Sequence, residues 1–188
     1  MTGLKQIRFA GFGGQGVVLA GTILGYAAIH DGKWVSGSNS YGAQARGGSA
    51  RSEVVISTEP ITFPHVIRSD LLIVLSQSAY DAHITDVAEA GALVIYDDLM
   101  VKPRDVAGVR QIAVPATKTA IHELQSKQVA NMVILGASMA ITRVVTKQAL
   151  IVSIRENIEE RFKESNLKAL EVGYELGVSI EGTSQLWL

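Results

Sequence analysis

The first half of the chain alternates short apolar runs with longer stretches of helical periodicity. QIRFAG (6–11) predicts a buried strand, and GVVLAGTILGYAAIH (16–30) predicts a helix that is apolar on most of its faces. RSEVVIST (51–58) alternates as a strand with one solvated face does. DLLIVLS (70–76) is apolar throughout, which is typical of a strand covered on both faces.

The middle of the chain continues this alternation. Further strands are predicted at 33–37, 92–97 and 109–116. A helix is predicted at 79–91, where Gly91 would end it as a C-cap. Strands that alternate with helices along a chain are typical of a parallel sheet with helices packed on it.

The last third of the chain is predicted to be helical. NMVILGASMAITRVV (131–145) is apolar, and KQALIVSIRENIEERF (147–162) is amphipathic with an apolar stripe that ends at Phe162. A last short helix is predicted at 165–177, with Ser165 as its N-cap.

Together these elements predict an α/β fold. We expect a doubly wound, mainly parallel sheet with helices on both faces. A helical C-terminal portion would occupy about 130–188. A single domain over 1–188 accommodates all of the elements, because no repeat, low-complexity run or long linker interrupts them.

Composition narrows the classes of function. The 188 residues carry a formal net charge of -1, which gives no reason to expect binding to nucleic acid or to an anionic membrane. The absence of cysteine excludes disulfides, thiol catalysis and cysteine-ligated iron–sulfur clusters from this chain. No export signal is recognised, and the longest apolar stretch (17–29) is shorter than the roughly 20 residues of a membrane span. The cytoplasm is the expected location.

The first glycine-rich loop, GFGGQG (11–16), fits the G-x-G-x-x-G pattern of dinucleotide-binding folds. Its glycines permit close backbone approach, and the helix that follows presents unpaired amides to an anion. A dinucleotide site also needs an acidic residue about 20 positions on, at the end of the second strand. Asp31 instead precedes that strand. A free-standing dinucleotide-binding module, or a small NAD(P) or flavin dehydrogenase, is therefore kept as the alternative function.

The second glycine-rich loop, SYGAQARGGSAR (40–51), is locally cationic. Arg46 on such a glycine-rich loop suits a carboxylate or a phosphate. It could equally hold the loop together through a backbone carbonyl. Both loops should lie at the carboxyl edge of the sheet and face one crevice.

At this point the residues resemble a known family. Four segments occur in the order and approximate spacing of the gamma subunit, or gamma domain, of the 2-oxoacid:ferredoxin oxidoreductases: IRFAGFGGQGVVLAG (7–21), SYGAQARGGSARSEVVIS (40–57), LLIVLSQSAYD (71–81) and NMVILGA (131–137). The pairing of the two glycine loops is much more specific than either loop alone. Their form is most similar to the subunit of the 2-oxoglutarate enzyme, with the pyruvate enzyme a close relative. The second loop departs from the family pattern at positions 43 and 44, where Ala and Gln replace a common Pro-Glu.

The resemblance implies an oxidoreductase subunit that is inactive alone. The family oxidatively decarboxylates a 2-oxoacid with thiamine diphosphate, passes electrons to ferredoxin and releases an acyl-CoA. This chain lacks the Gly-Asp-Gly and Asn motif that binds thiamine diphosphate and magnesium. Both of these cofactors and the iron–sulfur clusters would lie on alpha and beta partners, with a ferredoxin-like delta subunit as a further candidate. This chain would complete the active site and share in binding coenzyme A, the co-substrate.

The resemblance also carries over site residues. No catalytic or metal-binding residue is assigned to this chain. The positions expected at the shared surface are Gly13, Gly14, Gln15, Gly16, Tyr41, Arg46, Gly47 and Gly48. Asn131 could join them, although capping of its own helix is the interpretation that the sequence favours. The pair Asp97–Asp98 could bind a cation but is more simply a solvated loop, and the four histidines show no metal-ligand spacing.

Overall fold

A six-stranded mixed sheet forms the centre of the molecule. The computed structural model describes residues 3–42, 48–88 and 91–184. The strands are β1 (Lys5–Phe12), β2 (Trp34–Tyr41), β3 (Ser49–Ser57), β4 (Leu71–Val74), β5 (Leu93–Asp97) and β6 (Arg110–Val114). The helices are α1 (Val17–His30), α2 (Gln77–His83), α3 (Ala116–His122), α4 (Ala130–Thr142), α5 (Lys147–Asn157) and α6 (Glu160–Ser184), and a 3-10 turn at Lys127–Val129 leads into α4.

The strands lie in the order β2-β3-β1-β4-β5-β6. Strand β3 pairs antiparallel with both of its neighbours, β1 and β2, whereas β1, β4, β5 and β6 pair in parallel. Five of the six described strands therefore run in one direction, and the prediction of a mainly parallel sheet is confirmed. The carboxyl ends of these five strands lie at one edge.

Helices cover both faces of the sheet, as predicted. One face, with Ile7, Phe9 and Ile73, packs against α1 and the C-terminal helices in a large apolar cluster. The other face, with Leu72 and Val94, packs against α2 in a smaller cluster. Burial of a large apolar side chain contributes about 1.5–3 kcal/mol, so the two clusters hold the sheet from both sides. No helix in the described part of the chain is long and apolar enough to cross a membrane.

The C-terminal helices differ from the predicted ones in their boundaries. Helix α5 ends at Asn157 because Ile158 adopts an extended backbone conformation. Helix α6 then runs without interruption for 25 residues. Ser165 lies inside α6, where its hydroxyl donates to the Phe162 carbonyl, so its assignment as an N-cap is wrong. Phe162 is 43% exposed and does not continue the buried stripe.

Helix α2 is shorter than predicted. It ends at His83, well before Gly91. The reason is tertiary: Val87 forms a parallel bridge with Ser69, and the Ala88 amide donates to the Ser69 carbonyl. This pairing draws the chain away from the helical path.

Candidate functional site

The first glycine loop joins the carboxyl end of β1 to α1. Gly16 is the N-cap of α1, has a left-handed φ of 69° and supplies no side-chain cap. The Gln15 side chain accepts a hydrogen bond from the Phe12 amide at 2.6 Å and donates one to the Leu75 carbonyl at 2.8 Å. Gln15 thereby fixes the loop and connects the ends of β1 and β4.

The two glycine loops meet at the same edge of the sheet, as expected. The Gly13 amide donates to the Gly48 carbonyl at 2.8 Å, and the Gly42 amide donates to the Ser49 carbonyl at 2.7 Å. Tyr41 ends β2 and is 67% exposed. Arg46 and Gly47 lie outside the described residues. The first of these main-chain bonds holds the second loop beside the first loop, and the second bond closes the stem of the second loop.

A crevice of about 270 Å³ opens beside the first loop. Its lining comes from four segments of the chain. They are the loop itself, the end of β4, and the segments that begin α3 and α4: Gly13, Gly14, Gln15, Leu75, Thr117, Lys127, Gln128 and Ala130. Lys127 is the cation in this lining. The sequence interpretation did not include Leu75, Thr117, Lys127 or Gln128.

Two helix starts next to the residues of the crevice lack a side-chain cap. Side chains cap two of the other helices, because Ser76 accepts from the Ala79 amide in α2 and Thr146 from the Ala149 amide in α5. Gly16 before α1 and Ser126 before the 3-10 turn have no such bond. Unpaired amides at a helix start attract anions. The crevice is therefore suited to an anionic group.

Asn131 connects two helices and does not cap its own. The N-cap of α4 is Val129, whereas the Asn131 side chain donates to the Gly16 carbonyl at 3.1 Å. Asn131 is 2% exposed, and its Oδ1 has no partner among the described residues. The capping interpretation was wrong, and Asn131 instead holds the start of α1 against α4.

Asp97 is a buried anchor and does not lie in a solvated loop. It accepts hydrogen bonds from the Thr117 amide at 2.9 Å, the Thr117 hydroxyl at 2.5 Å and the Leu99 amide at 3.1 Å. Burial raises the pKa of the Asp97 carboxyl, and these hydrogen bonds oppose the rise. Asp97 thereby positions Thr117 in the crevice wall. Its neighbour Asp98 pairs with Lys118 at 3.0 Å.

Asp31, which precedes the second strand, has a role unrelated to nucleotide binding. Asp31 lies at the amino end of β2 and accepts from the Thr146 amide at 2.7 Å and hydroxyl at 2.6 Å. In addition, β3 separates β2 from β1. A dinucleotide-binding β-α-β unit places its first two strands side by side, so the described geometry differs from that unit.

Comparison with known proteins places this chain in a family. The sequence pattern of the "Pyruvate ferredoxin/flavodoxin oxidoreductase" family matches residues 6–176. The chain therefore belongs to this family. The prediction that it is a subunit of a 2-oxoacid oxidoreductase is confirmed.

Individual relatives resemble the chain over most of its length. The 2-oxoglutarate synthase subunit KorC of Methanocaldococcus jannaschii is 43% identical over 174 residues, which are 92% of this chain and 93% of that protein. The ketoisovalerate oxidoreductase subunit VorA of Methanothermobacter thermautotrophicus is 35% identical, and the match covers 90% of this chain but 36% of VorA.

Solved structures agree with the fold. The keto/oxoacid ferredoxin oxidoreductase gamma subunit of Geobacter sulfurreducens has a TM-score of 0.81 at 37% identity, covering 93% of this chain and 99% of that one. The 2-oxoglutarate:ferredoxin oxidoreductase of Magnetococcus marinus has a TM-score of 0.86 at 24% identity, covering 95% of this chain and 32% of that one. The second comparison shows the shared fold alone.

Proposed function

We propose that this chain is the gamma subunit of a thiamine-diphosphate-dependent 2-oxoglutarate:ferredoxin oxidoreductase. Four relatives at 38–43% identity are 2-oxoglutarate synthase subunits, whereas the ketoisovalerate and pyruvate relatives are 30–35% identical. The observation that carries the proposal is the hydrogen bond between Gly13 and Gly48. It joins the two glycine loops beside a crevice that suits an anion. This edge would complete the reaction chamber of the assembled enzyme.

The central cofactors belong on partner subunits in this proposal. The chain has no cysteine, and its described residues contain no group of three or more His, Asp or Glu side chains suited to a metal. A cysteine-ligated iron–sulfur cluster therefore has no ligands in this chain. Alpha and beta subunits would carry the central cofactors, a ferredoxin-like delta subunit would pass electrons to ferredoxin, and the complex would work in the cytoplasm.

Coenzyme A is the ligand that we assign to the crevice. Its phosphates are anions of the kind that Lys127 and uncapped helix starts attract. Gly13, Gly14, Gln15 and Gly16 would form the base of this surface. Tyr41, Arg46, Gly47 and Gly48 of the second loop are proposed to contribute to the same shared surface. The role of these residues is to bind and orient the co-substrate, while the covalent chemistry takes place on partner groups.

Substitution of Lys127 tests this proposal in the assembled enzyme. Lys127→Gln should raise KM for coenzyme A about tenfold or more, since a hydrogen bond to a charged group contributes about 1.5–3 kcal/mol. KM for 2-oxoglutarate should stay unchanged. Steady-state kinetics measure both constants.

Lys163→Gln is the matched control, because Lys163 lies on α6 and pairs with Glu160 away from the crevice. This variant should keep both KM values. Unchanged kinetics for coenzyme A in Lys127→Gln would exclude the assigned role of the crevice. Failure of the wild-type chain to restore 2-oxoglutarate oxidation to its partners would exclude the proposed function itself.

A further inference from the structure

Strand β2 forms an edge of the sheet that lacks the usual protection against pairing. No strand in 3–42, 48–88 or 91–184 pairs with its outer side. Its eight residues, WVSGSNSY, include no charge and no proline. Natural edge strands are commonly protected by charge, proline, shortness or a covering element. At the opposite edge, β6 has five residues and begins with Arg110, which lies 3.8 Å from Glu181 of α6.

The hydrogen-bonding direction of β2 follows from its register. The Gly42 amide donates to the Ser49 carbonyl, and the pairing continues without a break to Trp34 opposite Ser57. In an antiparallel pair, alternate residues point their N–H and C=O groups toward the partner strand. The even-numbered residues of β2 therefore face β3. The backbone groups of Val35, Gly37, Asn39 and Tyr41 point to the open edge.

A groove of about 320 Å³ runs between β2 and α1. Its lining includes Gly21 and Gly25 of α1 and Gly37 of β2, which have no side chains to fill the groove. Tyr26 and Ile29 at its rim are 45% and 55% exposed. A strand added to β2 would place every second side chain over this groove.

The charge of the groove restricts what can bind there. Glu53 lies in the groove wall, but its carboxylate pairs with Arg8 at 2.8 Å. The other lining residues are uncharged: Gly21, Thr22, Gly25, Tyr26, Ile29, Val35, Gly37, Asn39, Ser52 and Val54. An occupant with apolar side chains on its groove side therefore fits better than a charged one.

We propose that an extended, uncharged segment of a partner subunit pairs with β2 as a seventh strand and inserts apolar side chains into the groove. The inference rests on the proposed function for the existence of that partner. Strand β2 leads directly into the second glycine loop, so a segment bound here would continue the surface assigned to the shared site. A second copy of β2 fits less well, because two of the positions that it would offer on this face are Gly37, which has no side chain, and Asn39, whose side chain is polar.

A proline substitution tests the pairing. Asn39→Pro removes an outward N–H, which an edge strand tolerates without losing its inner ladder. The full-length variant should keep its thermal midpoint within a few degrees. Its affinity for the assembled thiamine-binding subunits, measured by biolayer interferometry, should fall at least tenfold. Asn39→Ala keeps the amide and should bind like the wild type.

A second variant examines the groove without touching the backbone. Ile29→Glu alters an exposed position and should also weaken association at least tenfold. Normal association of both Asn39→Pro and Ile29→Glu would overturn the inference. The inference would also be overturned if the wild-type chain formed a homodimer that Asn39→Pro dissociated while the affinity for the partner subunits stayed unchanged. The edge would then bind a second copy of the chain. A wild-type chain that binds no thiamine-carrying subunit would refute the proposed function instead.

Discussion

Gly16 is constrained in two independent ways. Its φ of 69° lies in the left-handed region that L side chains rarely adopt, and a Cβ there would overlap with the Asn131 amide group. The same amide donates to the Gly16 carbonyl. The start of α1 therefore depends on the absence of a side chain at residue 16 and on the presence of one at residue 131.

Alanine at Gly16 should accordingly destabilise the fold more than alanine at Gly14. Gly14 has a φ of 98°, but no atom lies within 4 Å of the position that a Cβ would take there. Gly14→Ala should cost about 1–2 kcal/mol, the penalty of a left-handed backbone. Gly16→Ala should cost about 1 kcal/mol more, because the hydrogen bond of Asn131 is displaced. Urea denaturation measures both values, and equal losses would argue against a role for Asn131 in this constraint.

His83 provides a pH-dependent contribution to stability. Burial lowers the pKa of His83 below its ordinary value of 6.5, the positive charge of Arg8 lowers it further, and Asp86 opposes the shift. The folded protein then binds the proton less tightly than the unfolded chain does. The contribution of His83 is complete above pH 6.5 and is lost as the pH falls from 6.5 toward the lowered pKa.

The free energy of unfolding should therefore decrease as the pH is lowered from about 7 to about 5, where histidine titrates. His83→Gln should show a flatter profile over the same interval. Chemical denaturation at several pH values compares the two proteins. Parallel profiles would show that His83 does not contribute to the slope.

The sequence identified some residues of the site and missed others for a physical reason. The glycines of both loops were evident from the motifs; positive φ requires glycine at Gly14 and Gly16, and a Cβ at Gly11 or Gly42 would meet neighbouring atoms. The contacts of Asn131 with Gly16 and of Asp97 with Thr117 join positions 115 and 20 apart. Packing of whole elements creates such contacts, so spacing along the chain gives no signal for them or for Lys127.

At the level of elements, α4 and α6 approach closely through glycines. A Cβ at Gly136 would overlap with the α6 backbone, and one at Gly173 or Gly177 would overlap with the α4 backbone. Helix α4 is buried along nearly its whole length. The contact between these helices therefore fixes the C-terminal portion of the fold.

Alanine at Gly173 should separate the two helices and lower the free energy of unfolding by more than about 3 kcal/mol. Overpacking of a filled interface typically costs about 1–3 kcal/mol, and the cost is higher here because backbone atoms cannot move aside as a side chain does. Gly182 lies on the same helix with nothing near its Cβ position. Gly182→Ala should stabilise the protein by up to about 1 kcal/mol through helix propensity. Thermal unfolding followed by circular dichroism distinguishes the two, and a neutral Gly173→Ala would contradict the close contact.

Most elements were predictable, but their arrangement was not. Apolar periodicity located the buried strands and α1 because burial dictates both. It ended β2 at Gly37, whereas this mostly exposed strand continues to Tyr41. Periodicity carried the predicted helix at 147–162 too far and divided α6, since it gave no signal for the break at Ile158. Tertiary packing sets the extended conformation of that residue. Periodicity also carries no information on strand order, and the insertion of β3 between β1 and β2 was not foreseen.

At the scale of the whole molecule, the inserted strand β3 separates this fold from a dinucleotide-binding one. We expect isothermal titration calorimetry of the isolated chain with NAD, NADP and FAD to give only heats of dilution. The reason is that β1 and β2 are not neighbours and that Asp31 is engaged by Thr146. A saturable isotherm with any of the three would favour the alternative, a free-standing nucleotide-binding module.

The main-chain bonds at Gly13 and Gly42 have a consequence for how such subunits diversify. Both bonds use backbone atoms alone. The Gly42–Ser49 bond closes the stem of the second loop and the Gly13–Gly48 bond joins that stem to the first loop, whatever residues occupy 43–47. Under the proposed function, we expect mutations in that pentapeptide to alter ligand preference and to leave the free energy of unfolding nearly unchanged. The stem is thus a natural graft site, and exchanging the five residues between paralogues offers a direct way to retune selectivity.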